Sequence, residues 1–128
     1  MRITDRLVWI TGASSGIGEA LAYELSRRGA RLVLSSRREA ELRRVREQCE
    51  QPASHTVQPL DLADPASLEE AASRVQAEVG PVDVLVNNGG ISQRATAAET
   101  DMAVVRRIIE VNFFGAVQLT KSVLPEMR

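Results

Sequence analysis

Two kinds of segment alternate along the chain. Short apolar runs, such as Leu7-Val8-Trp9-Ile10, have the length and composition of buried strands. The segments between them are longer and mix apolar with polar positions in the manner of amphipathic helices. The pattern predicts strands at residues 7–11, 31–35, 56–60 and 82–87, and helices at about residues 16–28, 38–50, 65–79 and 101–127.

Turn and cap residues set the expected ends of these segments. Gly29 is predicted to end the first helix, and Asp64, followed by a proline, to be the N-cap of the third. Pro59 predicts that the third strand is short or lies at an edge, because proline cannot donate a ladder hydrogen bond. Thr100 is predicted to be the N-cap of the last helix, which we expect to be interrupted near residues 112–115.

Strands that alternate with helices predict βαβ units and a parallel sheet. The expected fold class is therefore α/β, a Rossmann-type parallel sheet with helices on both faces. Right-handed crossovers favour the strand order 3-2-1-4. The sequence shows no internal repeat, low-complexity tract or interdomain linker, so residues 1–128 are expected to belong to one domain.

The turn after the first strand is the main candidate for chemistry, and its sequence is Thr11-Gly12-Ala13-Ser14-Ser15-Gly16-Ile17-Gly18. A turn from a buried strand into a helix can hold a dinucleotide pyrophosphate on backbone N–H groups at the positive end of the helix. Gly12 would allow the tight turn, Gly16 would let the backbone approach the phosphates, and Gly18 would let the helix pack close to the strand.

The glycine spacing, Gly-x-x-x-Gly-x-Gly, resembles the cofactor loop of the short-chain dehydrogenases/reductases. Three further segments resemble motifs of that family: Asp61-Leu62 after the third strand, Asn87-Asn88-Gly89-Gly90 after the fourth, and Asn112 in the last helix. Gly89 stands where the family typically has alanine. Each motif alone is also compatible with a turn or a solvent-facing helix residue. Their joint occurrence, in order and at the ends of the right elements, carries the resemblance.

The resemblance implies a role for each matching residue. Asp61, beside Leu62, would bind the adenine ring, and Asn112 would be a catalytic residue that helps to hold a proton relay. The remaining cofactor-binding residues implied in this way are Gly12, Ser14, Ser15, Gly16, Ile17, Gly18, Asn88, Gly89 and Gly90.

The end of the second strand predicts the choice of cofactor. Dinucleotide folds that prefer NAD usually place an acidic residue there to bind the ribose 2′-hydroxyl, whereas NADP requires a cation. Here Ser36 stands at the position of that acid and Arg37 follows it, as in NADP-preferring members of the family. A guanidinium can pair with the 2′-phosphate, so we expect NADP(H) to be favoured over NAD(H). The alternative is that Arg37 merely begins a charged helix, although the helix dipole disfavours cations there.

The resemblance also implies an oxidoreductase that interconverts small-molecule alcohols and carbonyls. In the family, a Tyr-x-x-x-Lys motif handles the proton, but here Tyr23 is the only tyrosine and Lys121 the only lysine. A family member has roughly 250 residues in one α/β domain. The 128 residues therefore correspond to its N-terminal half, end before its fifth strand, and are expected to be inactive by themselves. The alternative function is a non-catalytic dinucleotide-binding module.

Composition narrows the partners and the compartment. A net charge of -1 with 26% charged residues gives no basic excess, so no nucleic-acid partner is expected. No apolar stretch has the length of a membrane span, and no membrane partner is expected. Cys49 is the only cysteine and His55 the only histidine, so we expect no metal site, and a reducing cytoplasm fits the single thiol.

The sequence also predicts a homo-oligomer. Without a fifth strand, strand four would present an apolar edge that can pair with another chain. The last helix would expose an apolar face formed by Val104, Ile108, Val111, Leu119 and Val123. We further expect Trp9 in the core, His55 at the surface, and the pair Phe113-Phe114 packed against the sheet or a partner subunit.

Overall fold

The computed structural model of the chain describes residues 2–90, 98–99 and 101–127. Its strands are β1 (Leu7–Thr11), β2 (Arg31–Ser35), β3 (Thr56–Val57) and β4 (Val84–Val86). Its α-helices are α1 (Gly16–Arg27), α2 (Glu39–Gln48), α3 (Pro65–Glu78), α4 (Met102–Ile109) and α5 (Ala116–Val123). A π-helical segment (Glu110–Gly115) joins α4 to α5, and 3-10 turns cover Pro52–Ser54 and Leu124–Glu126.

The four strands form one parallel sheet in the order β3-β2-β1-β4, which confirms the predicted topology. β1 lies inside the sheet and pairs with β2 from Leu7 opposite Arg31 to Thr11 opposite Ser35. Every residue of β1 is buried, because its apolar run is covered on both faces by helices. β3 and β4 form the two edges within the described part of the chain.

Two apolar cores lie on opposite faces of the sheet, as the alternation of side chains along a strand requires. One contains Leu7 and Trp9 of β1 with residues of α3 and α5, such as Leu68 and Leu119. The other contains Val8 and Ile10 of β1 with residues of α1 and α2. The helices therefore cover both faces, as expected, and Trp9 is fully buried.

The predicted caps are largely confirmed. The Asp64 carboxylate accepts from the backbone N–H of Ala66 at 3.1 Å and of Ser67 at 3.4 Å, which caps the start of α3. Gly29 follows the end of α1 with a φ of +86°, a conformation that glycine adopts without strain. Beyond the two residues of β3, the backbone N–H of Leu60 still donates to Ser36 at 2.9 Å.

The last helical stretch is interrupted where the sequence predicts. The turn from Glu110 to Gly115 is π-helical and contains Asn112. A π-helical turn in an α-helix is often found at a functional position. The predicted N-cap, Thr100, lies outside the described residues, and α4 begins after Asp101.

Two expectations about surface and core are wrong. His55 is buried, 5% exposed, because its ring bridges the start of β2 and the end of α2 through two backbone hydrogen bonds. Val111, Leu119 and Val123 are buried within the chain, because the last helical stretch packs on α3 and the sheet. The exposed large apolar side chains of this stretch are instead Met102, Ile109, Phe113, Phe114, Val117 and Leu124. Phe113 and Phe114 contact each other edge to face and are exposed. Their expected packing against a partner subunit stays a prediction.

Candidate functional site

A cleft of about 210 Å³ lies at the carboxyl ends of the strands. This is the edge at which open parallel sheets bind ligands. Its walls come from the turn after β1, the end of β2, the loop before α3, the segment after β4, and the last helical stretch. The lining residues are Thr11, Gly12, Ser14, Ser15, Ser35, Ser36, Arg37, Arg38, Leu60, Asp61, Leu62, Gly89, Gly90, Arg107 and Val111.

Glycine is required at two positions of the turn after β1 for different reasons. Gly12 has a φ of +64°, which side-chain-bearing residues rarely adopt, and a Cβ there would lie 2.9 Å from Asn88 Nδ2. Gly18 is buried in the first turn of α1, and a Cβ there would overlap the carbonyl oxygen of Gly12. The helix consequently begins close to the end of β1, directly after Ser14 and Ser15, which line the cleft.

Thr11 and Asn88 fasten this turn to the end of β4. The Thr11 hydroxyl donates to the carbonyl oxygen of Val86 at 3.3 Å. It also accepts from the backbone N–H of Asn88 at 3.1 Å and of Gly89 at 2.8 Å. The Asn88 side-chain amide donates to the carbonyl oxygen of Gly12 at 3.2 Å. Asn88 thus shapes the cleft by holding the glycine turn, and it is not among the residues that line the cleft.

The end of β2 supplies positive charge to the cleft. Arg37 and Arg38 both line it, and neither forms an ion pair with any residue that the structure describes. The Ser36 hydroxyl accepts from the backbone N–H of Arg38 at 3.1 Å and so fixes the turn into α2. In contrast, Arg43 further along α2 is paired with Glu39 at 2.7 Å. Two guanidinium groups at one wall favour an anionic ligand.

Asp61 and Leu62 line the cleft next to the end of β2, since the preceding residue Leu60 donates its backbone N–H to the Ser36 carbonyl. The Asp61 carboxylate accepts from the backbone N–H of Ala63 at 2.9 Å, which fixes the side chain as the chain turns toward α3. A Cβ on Gly89 would lie 2.8 Å from Leu62 Cδ1, so the segment after β4 and the Asp61–Leu62 turn approach closely. Gly89 stands where the resembled family typically has alanine, and this close contact lies at that position.

Asn112 lies beside the cleft in the π-helical segment. A Cβ on Gly90 would stand 2.7 Å from Asn112 Oδ1, so the end of β4 and the last helical stretch meet at these two residues. Gly115 lies against the backbone carbonyl of Leu62, and a Cβ there would overlap that oxygen. Two glycines therefore bring the last helical stretch within reach of the cleft.

The cleft brings together most of the residues that the sequence singles out. Those that line it are Gly12, Ser14, Ser15, Ser36, Arg37, Asp61, Leu62, Gly89 and Gly90. Gly16, Ile17 and Gly18 lie in the first turn of α1 outside this lining, and Ile17 is 77% exposed. Sequence reasoning did not select Arg38, Arg107 and Val111, which also line the cleft. Arg38 could have been found as the second cation after β2, whereas no sequence signal marks the other two.

The donor set of the cleft fits a dinucleotide. It combines a glycine turn in which Gly12 and Gly18 leave no room for a Cβ, two arginines after β2, a carboxylate and apolar side chains. The described residues contain no group of three or more His, Cys, Asp or Glu side chains arranged to hold a metal ion. None of the helices in the described ranges is both long and apolar enough to cross a bilayer.

Comparison with known proteins places the chain among related sequences. The short chain dehydrogenase family profile matches residues 6–128. Human dehydrogenase/reductase SDR family member 7 is 52% identical over 130 residues, an alignment that covers 98% of this chain and 38% of the human protein. The chain thus spans well under half the length of this curated relative.

Solved structures with the same fold carry different dinucleotides. A gluconate 5-dehydrogenase from Burkholderia cenocepacia, in complex with NADP and tartrate, matches with a TM-score of 0.87 and 29% identity, covering 97% of this chain and 49% of that one. A 3-ketoacyl-(acyl-carrier-protein) reductase from Brucella melitensis, complexed with NADH, matches with a TM-score of 0.90 and 29% identity, covering 97% and 50%. The likeness covers nearly the whole chain in both cases.

Proposed function

Because the chain belongs to the short chain dehydrogenase family, we propose that it forms the cofactor-binding half of an NADP(H)-dependent oxidoreductase acting on small-molecule alcohols and carbonyls. The observation that carries the proposal is the single cleft lined by the glycine turn, two arginines, Asp61 and Leu62. Family membership supports oxidoreductase chemistry, and the preference for NADP(H) rests on the charges of the cleft.

The residues of the cleft divide the cofactor between them in this proposal. The N–H groups at the start of α1 bind the pyrophosphate, where the helix dipole also favours negative charge. Arg37 pairs with the 2′-phosphate, and the Asp61 carboxylate accepts from the adenine amino group. A dinucleotide held by these residues would supply the hydride chemistry of alcohol and carbonyl interconversion. Asn112, which lies next to Gly90, would help to hold the proton relay.

The choice of NADP(H) rests on Ser36 and Arg37. A preference for NAD would place a carboxylate at the end of β2, and Ser36 instead uses its hydroxyl to hold the backbone of the following turn. Of the two solved relatives described above, one holds NADP and the other NADH. Family membership by itself therefore does not decide between NADP(H) and NAD(H). The guanidinium groups at this wall support NADP(H) because the 2′-phosphate adds nearly two negative charges.

A non-catalytic dinucleotide-binding module is the competing function. Its specific support is that the cleft residues singled out from the sequence, the glycine turn, Arg37 and Asp61, are all expected to bind the cofactor. Tyr23 is engaged elsewhere, since its hydroxyl donates to Glu19 at 2.6 Å. Both functions share the same cofactor cleft, and turnover separates them.

The test combines turnover with cofactor binding. The protein expressed from its complete gene is assayed for NADPH and NADH oxidation with a panel of ketones. In parallel, calorimetric titration compares Arg37→Ala with the control Arg43→Ala, which changes an exposed, paired arginine of α2. We expect Arg37→Ala to weaken NADPH binding about tenfold while NADH binding stays within about twofold. An unchanged ratio of the two affinities would contradict the NADP(H) assignment, and binding without turnover would favour the non-catalytic module.

We also propose that the protein is a homo-oligomer of the cytoplasm. The exposed phenylalanines of the last helical stretch support self-association. The single, buried Cys49 is compatible with a reducing compartment.

A further inference from the structure

An ion pair between α1 and α2 lies directly behind the glycine turn. Arg44 of α2 holds the Glu19 carboxylate with both of its terminal nitrogens, at 3.1 and 3.2 Å. The same guanidinium donates to the carbonyl oxygen of Ser14 at 3.4 Å and to Glu41 at 3.3 Å. Of these residues, Ser14 lines the cleft. Arg44 thus contacts both the cleft wall and the first turn of α1.

Glu19 occupies a position with two opposing electrostatic effects. It is an acidic residue in the first turn of α1, where the helix dipole stabilises a negative side chain. The same turn is where an anionic ligand would receive the backbone N–H groups, and a bare carboxylate there repels such a ligand. Arg44, followed by the Tyr23 hydroxyl, keeps the pKa of Glu19 below its ordinary value, so the carboxylate is ionised at neutral pH. Arg44 supplies the positive charge that offsets this carboxylate.

We propose that Arg44 is a positioning residue for the phosphates of the cofactor. Arg44 neutralises Glu19 and holds the Ser14 carbonyl of the glycine turn. This inference rests on the proposed dinucleotide function. Arg44 need not touch the cofactor, because its guanidinium is already engaged by Glu19, Glu41 and Ser14. Its effect on binding acts through the charge of Glu19 and the position of the turn.

The proposal makes a prediction that a purely structural bridge does not make. Without Arg44, the ionised Glu19 repels a ligand in proportion to the ligand's negative charge, so NADPH is affected more than NADH. Removal of the Glu19 charge then restores the binding that the loss of Arg44 had weakened. If the ion pair acts only by tying the two helices together, loss of Arg44 or of the Glu19 charge lowers the stability of the protein. Binding of NADPH and of NADH is then weakened equally, and removal of the Glu19 charge does not restore it.

The experiment measures dissociation constants for NADPH and NADH by calorimetry with Arg44→Met, Glu19→Gln and the double variant. Thermal unfolding without cofactor reports the purely structural effect. The matched control is Arg28→Met. This substitution breaks the ion pair between Arg28 and Glu24, 3.0 Å apart, at the other end of α1. Titrations at low and high salt add a second readout, because screening weakens charge repulsion but not a change in shape.

We expect Arg44→Met to weaken NADPH binding about fivefold and NADH binding about twofold at low salt. The double variant is expected to regain most of the loss, and Glu19→Gln alone to bind at least as tightly as the unaltered protein. If Arg44→Met fails to fold, Glu19→Gln still tests the inference. Weaker NADPH binding by Glu19→Gln than by the unaltered protein overturns the inference. Equal losses for both cofactors without recovery in the double variant also overturn it. If the unaltered protein binds neither cofactor, the proposed function fails and this inference fails with it.

Discussion

The side-chain amide of Asn88 donates to the carbonyl oxygen of Gly12 at 3.2 Å. This bond ties the segment after β4 to the turn after β1, two strands that are neighbours in the sheet but far apart in sequence. The carbonyl of Gly12 lies beneath Gly18, where no side chain fits. One amide therefore orients the turn that the proposed cofactor would occupy.

Asn88→Ala should lower both stability and cofactor affinity. The Gly12 carbonyl would lose its partner in a half-buried position, which costs about 1 to 2 kcal/mol of the free energy of unfolding. Urea denaturation measures the stability and calorimetry the affinity for NADPH. Asn87→Ala is the control, because the neighbouring Asn87 is exposed and donates to Thr120 at 3.1 Å, away from the glycine turn. Equal effects of the two substitutions on stability and affinity would contradict the role assigned to the bond between Asn88 and Gly12.

Two glycines of the same turn should respond differently to alanine. Gly18→Ala forces a Cβ against the Gly12 carbonyl and to within 2.7 Å of Asn88 Nδ2, so we expect a loss of about 2 kcal/mol or more. A Cβ on Gly16 would meet no atom of the described residues within 4 Å, but the φ of Gly16 is +56°. Gly16→Ala should therefore cost only the backbone strain, about 1 kcal/mol. Denaturant titration of both variants measures the difference, and a larger loss at Gly16 than at Gly18 would contradict the steric argument.

The buried His55 should make stability depend on pH. The backbone N–H of Leu32 donates to its Nδ1 at 3.1 Å, so the ring proton is on Nε2 and is donated to the Glu50 carbonyl at 2.7 Å. Burial lowers the pKa of His55 below its ordinary value of 6.5. Between these two pKa values the unfolded chain binds more protons than the folded one. The contribution of His55 to stability is therefore complete above about pH 6.5 and decreases as the pH falls through the window below it.

The measurement is the free energy of unfolding at several pH values between about 5 and 8, compared with a His55→Gln variant. The change in the free energy of unfolding that is due to His55 cannot exceed about 1.4 kcal/mol per pH unit. Other groups also titrate at acidic pH, so the informative quantity is the difference between the two proteins. A difference that stays constant over this range would contradict the assignment of the effect to His55.

The exposed aromatic pair should take part in self-association. Phe113 and Phe114 are 59% and 53% exposed, and they lie among other exposed apolar side chains of the last helical stretch. We expect sedimentation to show a dimer, and the double substitution Phe113→Ser with Phe114→Ser to shift it toward monomer. Arg106→Ala, at an exposed polar position of α4, is the control and should leave the dimer intact. A stable monomer of the unaltered protein would refute the prediction.

The sequence by itself determined the alternation of strands and helices, the strand order and the location of the glycine turn. These features depend on local patterns: the apolar run of β1, the Asp64 cap and the interruption around Asn112 are each encoded by adjacent residues. The strand order also follows from local information, because right-handed crossovers leave few alternatives. Most residues of the cleft could be named because their motifs resemble those of the short-chain dehydrogenases/reductases, and parallel strands bring their carboxyl ends to one edge.

Only the tertiary structure decided which side chains of distant segments meet. The burial of His55 depends on β2 and the end of α2 lying side by side, which no local pattern encodes. The burial of Leu119 depends likewise on α3 packing against the last helical stretch. Arg44 looks like one charge of a solvated helix until the fold brings it to Glu19 and Ser14. Pairings of this kind depend on distances between elements, and those distances are fixed by side-chain packing across the whole chain.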